Sequence, residues 1–165
     1  MLNDNAMRKI LMILAALFVW MGAVAQTPLE ELVVRYGDKR GVRDFIATGA
    51  RMTLVRGFLS KYGLAPIKDE VDELYVLMLG NASEQIKDEF LAELKEALMV
   101  YEHYGKVDGK NGLVDIYVLK SGPESVSELV VYNPEIYALN ILGGNFSVSS
   151  LLSIAKNEPS KGTSE

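Results

Sequence analysis

The stretch Asp108–Gly144, DGKNGLVDIYVLKSGPESVSELVVYNPEIYALNILGG, decides the fold. Asp108-Gly109 and Asn111-Gly112 are hairpin-turn dipeptides, able to adopt the positive φ that tight turns between antiparallel strands need. Val114, Ile116 and Val118 alternate with Asp115, Tyr117 and Leu119, the period of two expected of a strand. Ser121-Gly122-Pro123-Glu124 reads as a turn and Glu128–Tyr132 as a strand. Asn133-Pro134-Glu135 then turns the chain back into Ile136–Leu142. Gly143-Gly144 is expected to break the sheet. The reading predicts a meander of about four antiparallel strands that begins near Val100.

Upstream, helices and strands mix. Thr27-Pro28 opens a helix, with threonine as cap and proline at the first helical position. Leu29, Leu32, Val33 and Tyr36 share one face of it. Val42–Thr48 reads as a short strand, and Ala50–Tyr62 as a helix carrying Met52, Val55, Phe58 or Leu59, and Tyr62 at helical spacing. Leu64–Glu70 is a linker. Leu74–Leu79 is a continuous apolar run, the mark of a strand covered on both faces. Asn81, with Glu84 three residues on, is expected to cap a long helix whose stripe is Ile86, Phe90, Leu94, Ala97 or Leu98, and Tyr101. Ser147 is expected to cap a last helix carrying Val148, Leu151 and Leu152. Layer logic makes this an α+β fold, a largely antiparallel sheet with helices packed on one face. The other face would then carry Tyr117, Tyr132 and Tyr137, a candidate surface for a partner.

The beginning of the chain carries an export signal. Arg8-Lys9 precedes twelve apolar residues, Ile10–Met21, and Ala23-Val24-Ala25 is a small-x-small cleavage site. The sixteen residues Ile10–Ala25 fall short of the ~20 that a spanning helix needs. Residues 1–25 are therefore expected to be a signal peptide cut between Ala25 and Gln26. Residues 26–156 would form one domain and residues 157–165 a disordered polar tail. The product is expected in the periplasm, with no stable membrane insertion after cleavage. The chain of 165 residues has no cysteine, so disulfides, thiolate metal sites and cysteine nucleophiles are excluded. Its net charge is −5, and losing Arg8, Lys9 and Asp4 with the leader makes it −6. That balance, without a basic cluster, argues against nucleic acid as a partner.

Several segments resemble the bacterial family known as domain of unknown function 4252. They are Tyr101-Glu102, Val114–Val118, Ser127–Tyr132, Ala138–Gly144 running into Phe146-Ser147, and Tyr36–Val42 in the first half. The resemblance spans most of residues 28–156. It implies an exported protein of a Gram-negative bacterium, with some members beside regulators of envelope-stress transcription. It carries no assigned activity and no functional residue.

The residues that could carry chemistry have plainer readings. His103 is the single histidine, and its chain neighbours Glu102 and Tyr104 do not by themselves make an acid–base pair. Asp69, Glu70, Asp72 and Glu73 lack the glycine of a calcium loop, and Asp108–Gly112 lacks its closing carboxylate, since Leu119 stands at the twelfth position. Gly143–Ser147 precedes a helix but lacks the lysine and glycine spacing of a phosphate loop. No Gly-x-Ser-x-Gly elbow occurs. The expectation is thus a non-enzymatic periplasmic domain that binds an envelope protein or peptide through its sheet face or edge. No catalytic, metal or cofactor residue is expected. Two alternatives are a hydrolase of envelope glycans that uses paired carboxylates alone, and a small-molecule carrier with an apolar cavity under the long helix.

Overall fold

The computed structural model describes residues 26–156. The expected leader over residues 1–25 and the tail over residues 157–165 lie outside the described residues. Helix α1 (Pro28–Gly37) begins in a reciprocal capping box. The Glu30 amide donates to Thr27 Oγ1 at 3.4 Å, and the Thr27 amide donates to Glu30 Oε2 at 3.1 Å. Two amides at the helix start are satisfied together. Strand β1 (Arg43–Thr48) and helix α2 (Arg51–Lys61) follow, then a short 3-10 turn at Ala65–Ile67. Strand β2 (Val71–Met78) leads to helix α3 (Glu84–Ala97). The cap of α3 is Ser83, whose Oγ accepts from the Ile86 amide at 3.3 Å. Asn81 does not cap it: it lies in the turn after β2, where its carbonyl presses on Gly41, a residue held at φ +81°.

The meander is present as expected. It comprises β3 (Glu102–Gly109), β4 (Gly112–Gly122), β5 (Ser125–Asn133) and β6 (Ala138–Ser147), and helix α4 (Val148–Lys156) closes the described chain. Two-residue turns join β3 to β4 and β4 to β5. Asn133 shapes the longer β5–β6 connection, its Oδ1 accepting from the Glu135 amide at 2.9 Å. All six strands form one antiparallel sheet in the order β1-β2-β6-β5-β4-β3. The link from β2 to β3 therefore crosses the sheet, and α3 makes that crossing.

The α+β class and the antiparallel sheet stand as expected, but the helices divide between both faces. On one face α1 and α3 cover Tyr75, Leu77, Val130, Tyr132, Leu139 and Ile141. On the other α2, the 3-10 turn and α4 cover Ala47, Val118, Leu129, Leu142 and Phe146. The cause is visible along β5 and β6. Leu129-Val130 and Ile141-Leu142 put apolar side chains on opposite faces in succession, so one layer of helices cannot hide both. Gly143-Gly144 does not end the sheet either, because β6 runs through it to Ser147. A Cβ built on Gly144 would fall 2.0 Å from the Glu70 carbonyl oxygen. The Asn145 amide donates to that same oxygen at 3.3 Å, so glycine lets two backbones meet there.

Candidate functional site

Two β-bulges converge on Gly143. The β2–β6 register shifts between Val71 and Glu73, and the β5–β6 register shifts between Val126 and Glu128. Glu73 and Glu128 both pair with Gly143, one from each side. Both glutamates face the α1 side of the sheet by alternation with Tyr75 and Val130, with no side chain between them, and the shifts turn Val71 and Val126 beyond them to the other face. A bulge commonly re-aims a side chain in this way beside a working site. The first turn of α1 lies above and contributes Thr27 and Glu30. The result is a cleft of about 250 Å³ lined by Thr27, Glu30, Asp72, Glu73, Ser127, Glu128, Gly143 and Gly144.

The carboxyl groups here are deep. Glu128 is 2% exposed and Glu30 7%. The Tyr101 hydroxyl donates to Glu128 Oε2 at 2.5 Å, while Glu128 Oε1 has no hydrogen-bond partner. The Tyr75 hydroxyl lies 3.4 Å from Glu73 Oε2. Burial pushes Glu30 up to about 7 from its ordinary 4.5; the Thr27 amide opposes this, and Glu128 and Glu73 add to it. Burial, with the nearby Glu30 charge, pushes Tyr75 up to about 12. Burial and the bond to Glu128 drive Tyr101 higher still, so both phenols remain donors across the physiological range.

A second concavity lies on the opposite face, beside the sheet edge formed by β3. Leu64, Tyr104, Val107, Ile116, Val118, Leu129, Val131, Leu151 and Ile154 line an apolar groove of about 230 Å³. Among the described residues β3 pairs only with β4, so no described strand covers its outer backbone groups. It is two-sided. Tyr104 and Val107 face the groove, whereas His103 and Lys106 both meet Asp115 at 2.9 Å on the other face. The far edge, β1, carries a more open apolar depression of about 490 Å³ between Phe45, Leu54 and Phe58.

The three tyrosines expected on an open face are not on one. Tyr132 is 6% exposed and packs against Phe90 of α3, ring centroids 6.4 Å apart. Tyr117 and Tyr137 are half-buried against the same core. Lys87 of α3 sits 5.0 Å from the Tyr137 ring and covers it. The tyrosine face became the floor of the α1–α3 layer because the helices split between the two faces. His103 Nε2 lies 2.9 Å from Asp115 Oδ1, and its ring lies 4.9 Å from that of Tyr117. Of the acidic run, Asp72 and Glu73 reach the cleft, whereas Glu70 accepts from the Ser147 amide and the Ser150 hydroxyl at the start of α4. Among the described residues no group of three or more histidine or acidic side chains is arranged to hold a metal ion. No helix among them is long and apolar enough to cross a membrane.

Sequence reading missed Glu30 and Glu128. Glu30 carried a local signal, standing three residues after the capping Thr27. Glu128 carried a weaker one, an acid directly before Leu-Val-Val-Tyr. No family model, curated protein or solved structure matches this chain.

Proposed function

We propose that this chain is an exported periplasmic protein, of the family its strands and turns resemble, that binds an extended segment of an envelope partner. The observation that carries this reading is the free β3 edge with the apolar groove beside it. An added strand would satisfy the outer amides and carbonyls of β3, and its alternate side chains would enter the groove. The polar residues on the other side of β3 guard it against indiscriminate pairing. Export follows from the Arg8-Lys9 and Ile10–Met21 pattern, and the mass of the periplasmic product, beginning at Gln26, checks it.

The carboxylate-hydrolase reading has one observation in its favour, the raised Glu30 facing Glu128. However, a general acid must touch the leaving oxygen, and a cleft of about 250 Å³ does not seat two sugar rings around a bond at the depth of Glu128. The carrier reading expects an apolar cavity under the long helix, whereas the apolar depression large enough for a small molecule, about 490 Å³ beside Phe45, Leu54 and Phe58, is open and lies against α2.

A photo-crosslinking residue placed in living cells at Val107, at Phe45 or at the exposed Glu89 on α3 tests the proposal. A discrete adduct from Val107 alone, lost in Val131→Asp, is expected. No adduct from Val107, or equal adducts from all three sites, would overturn it.

A further inference from the structure

The geometry points to the cleft around Gly143 as a binding site for a guanidinium group, held between Glu73 and Glu128 beneath Glu30. Four observations combine. Glu128 is 2% exposed, lines the cleft and leaves Oε1 without a partner. A buried oxygen in that state is costly, and a donor entering the cleft would relieve it. Glu73 and Glu128 stand on strands separated by β6, so their backbones lie roughly 9–10 Å apart, two strand spacings. Gly143, between them, contributes no side chain to fill the gap; even a methyl there would only touch Glu73, at 3.4 Å. The phenols of Tyr75 and Tyr101 brace the two glutamates from behind.

The spacing selects the ligand. A metal ion needs its oxygens within about 2.0–2.6 Å of one point, and no such grouping occurs among the described residues. An ammonium is a compact point charge and reaches one carboxylate well. A guanidinium is a planar fork with five donors that bridges separated acceptors. The cleft admits that head and a thin stem and little more. The guanidinium could belong to a small molecule or to an arginine side chain of a protein.

Binding should displace the proton that Glu30 retains near neutrality, because a fixed cation favours the ionised acid. The titratable groups facing Glu30 are Glu73, Glu128, Tyr75 and Tyr101, with Asp72 at the rim, and no lysine or arginine lines the cleft.

Calorimetry on the purified exported chain provides the test, with methylguanidine, acetyl-arginine amide, butylamine and magnesium chloride as separate ligands at matched ionic strength. Saturable binding of methylguanidine is expected, at least tenfold tighter than butylamine or magnesium. At pH 7 its heat should vary with the ionisation enthalpy of the buffer, as proton release requires. Glu128→Gln and Gly143→Val should each weaken it at least tenfold. The second variant keeps every carboxyl group and fills the gap with a residue suited to a strand, so far-UV circular dichroism separates a blocked site from a lost fold. Acetyl-arginine amide binding as tightly assigns the site to a protein arginine; binding that it lacks assigns the site to a free guanidine. Absence of saturable heat, unchanged affinity in Gly143→Val, or equal affinity for butylamine would overturn the inference. None of these outcomes bears on crosslinking at Val107, which lies on the other face.

Discussion

Replacing Glu30 by glutamine should stabilise the domain at pH 8 and flatten its dependence on pH. The wild-type carboxyl ionises at about 7 in the fold, against 4.5 ordinarily. A raised value means that the native state holds a proton the unfolded chain has released. Stability from this group is therefore full below about pH 4.5 and falls as pH rises through 7. The whole shift corresponds to about 3 kcal/mol. Water reaching in through the cleft screens part of it, leaving about 1–3 kcal/mol. For a domain of this length that is roughly 3–12 °C in Tm. Glutamine keeps an oxygen for the Thr27 amide, so the capping box survives the change. Urea melts of both proteins from about pH 3.5 to pH 9 would measure the effect. The wild type should fall relative to Glu30→Gln between about pH 4.5 and 7, the unfolded and native values of the carboxyl, and hold a constant offset above that window. Parallel curves would refute the argument, because they would mean that Glu30 pays no cost on ionising and that its burial is relieved by water.

Three further substitutions probe the frame around the cleft. Phe90→Ala removes a fully buried ring that meets Tyr36 at 5.4 Å and Tyr132 at 6.4 Å, and should cost about 3–5 kcal/mol in a urea melt. Gly144→Ala drives a methyl into the Glu70 carbonyl and should cost about 2–4 kcal/mol, with thermal melting as the readout. Asp115→Asn tests the inner side of the β3 edge. Burial works to raise that carboxyl, but Lys106 and His103 outweigh it and hold it below the ordinary range. Its contribution is present above that range and lost as pH falls through the native value. The substitution should therefore cost about 1 kcal/mol at pH 7 and progressively less as pH falls below the ordinary carboxylate range, measured by urea denaturation.

The strands were legible because each turn is written in residues with a conformational reason. Lys110-Asn111 and Pro123-Glu124 are the tips of the two-residue hairpin turns, flanked by the glycines the sequence marked. Asn133 marked the next connection, although the chain there also needs Tyr137 at φ +51°. The placement of the helices was legible in principle and misread. The two-faced apolar character recognised in Leu74–Leu79 also runs through Leu129–Tyr132 and Leu139–Leu142, and it calls for cover on both sides. The Tyr117, Tyr132 and Tyr137 surface failed with that one step. The cleft was less accessible still, since it depends on register. Glu73 and Glu128 stand opposite the same glycine because β2 and β5 each keep an unbroken register with β6 as far as Gly143, and no period within a single strand encodes a pairing between strands.

That coincidence of register bears on what the cleft is for. The register of β6 with β2 and with β5 places Glu73 and Glu128 in one row with Gly143 between them, and a bulge interrupts each ladder just beyond that row. The row then sits under the first turn of α1, where Glu30 completes the capping box and faces Glu128 at once. Cores gain stability when buried acids give way to apolar side chains of similar size. A sheet selected for stability alone would carry such residues at positions 128 and 143, flanked as they are by Leu129 and Leu142. The protein instead keeps two deep carboxyl groups, one bare oxygen and a missing side chain at the same point. Each is unfavourable in the empty protein, and a planar cation in the gap would offset all three together.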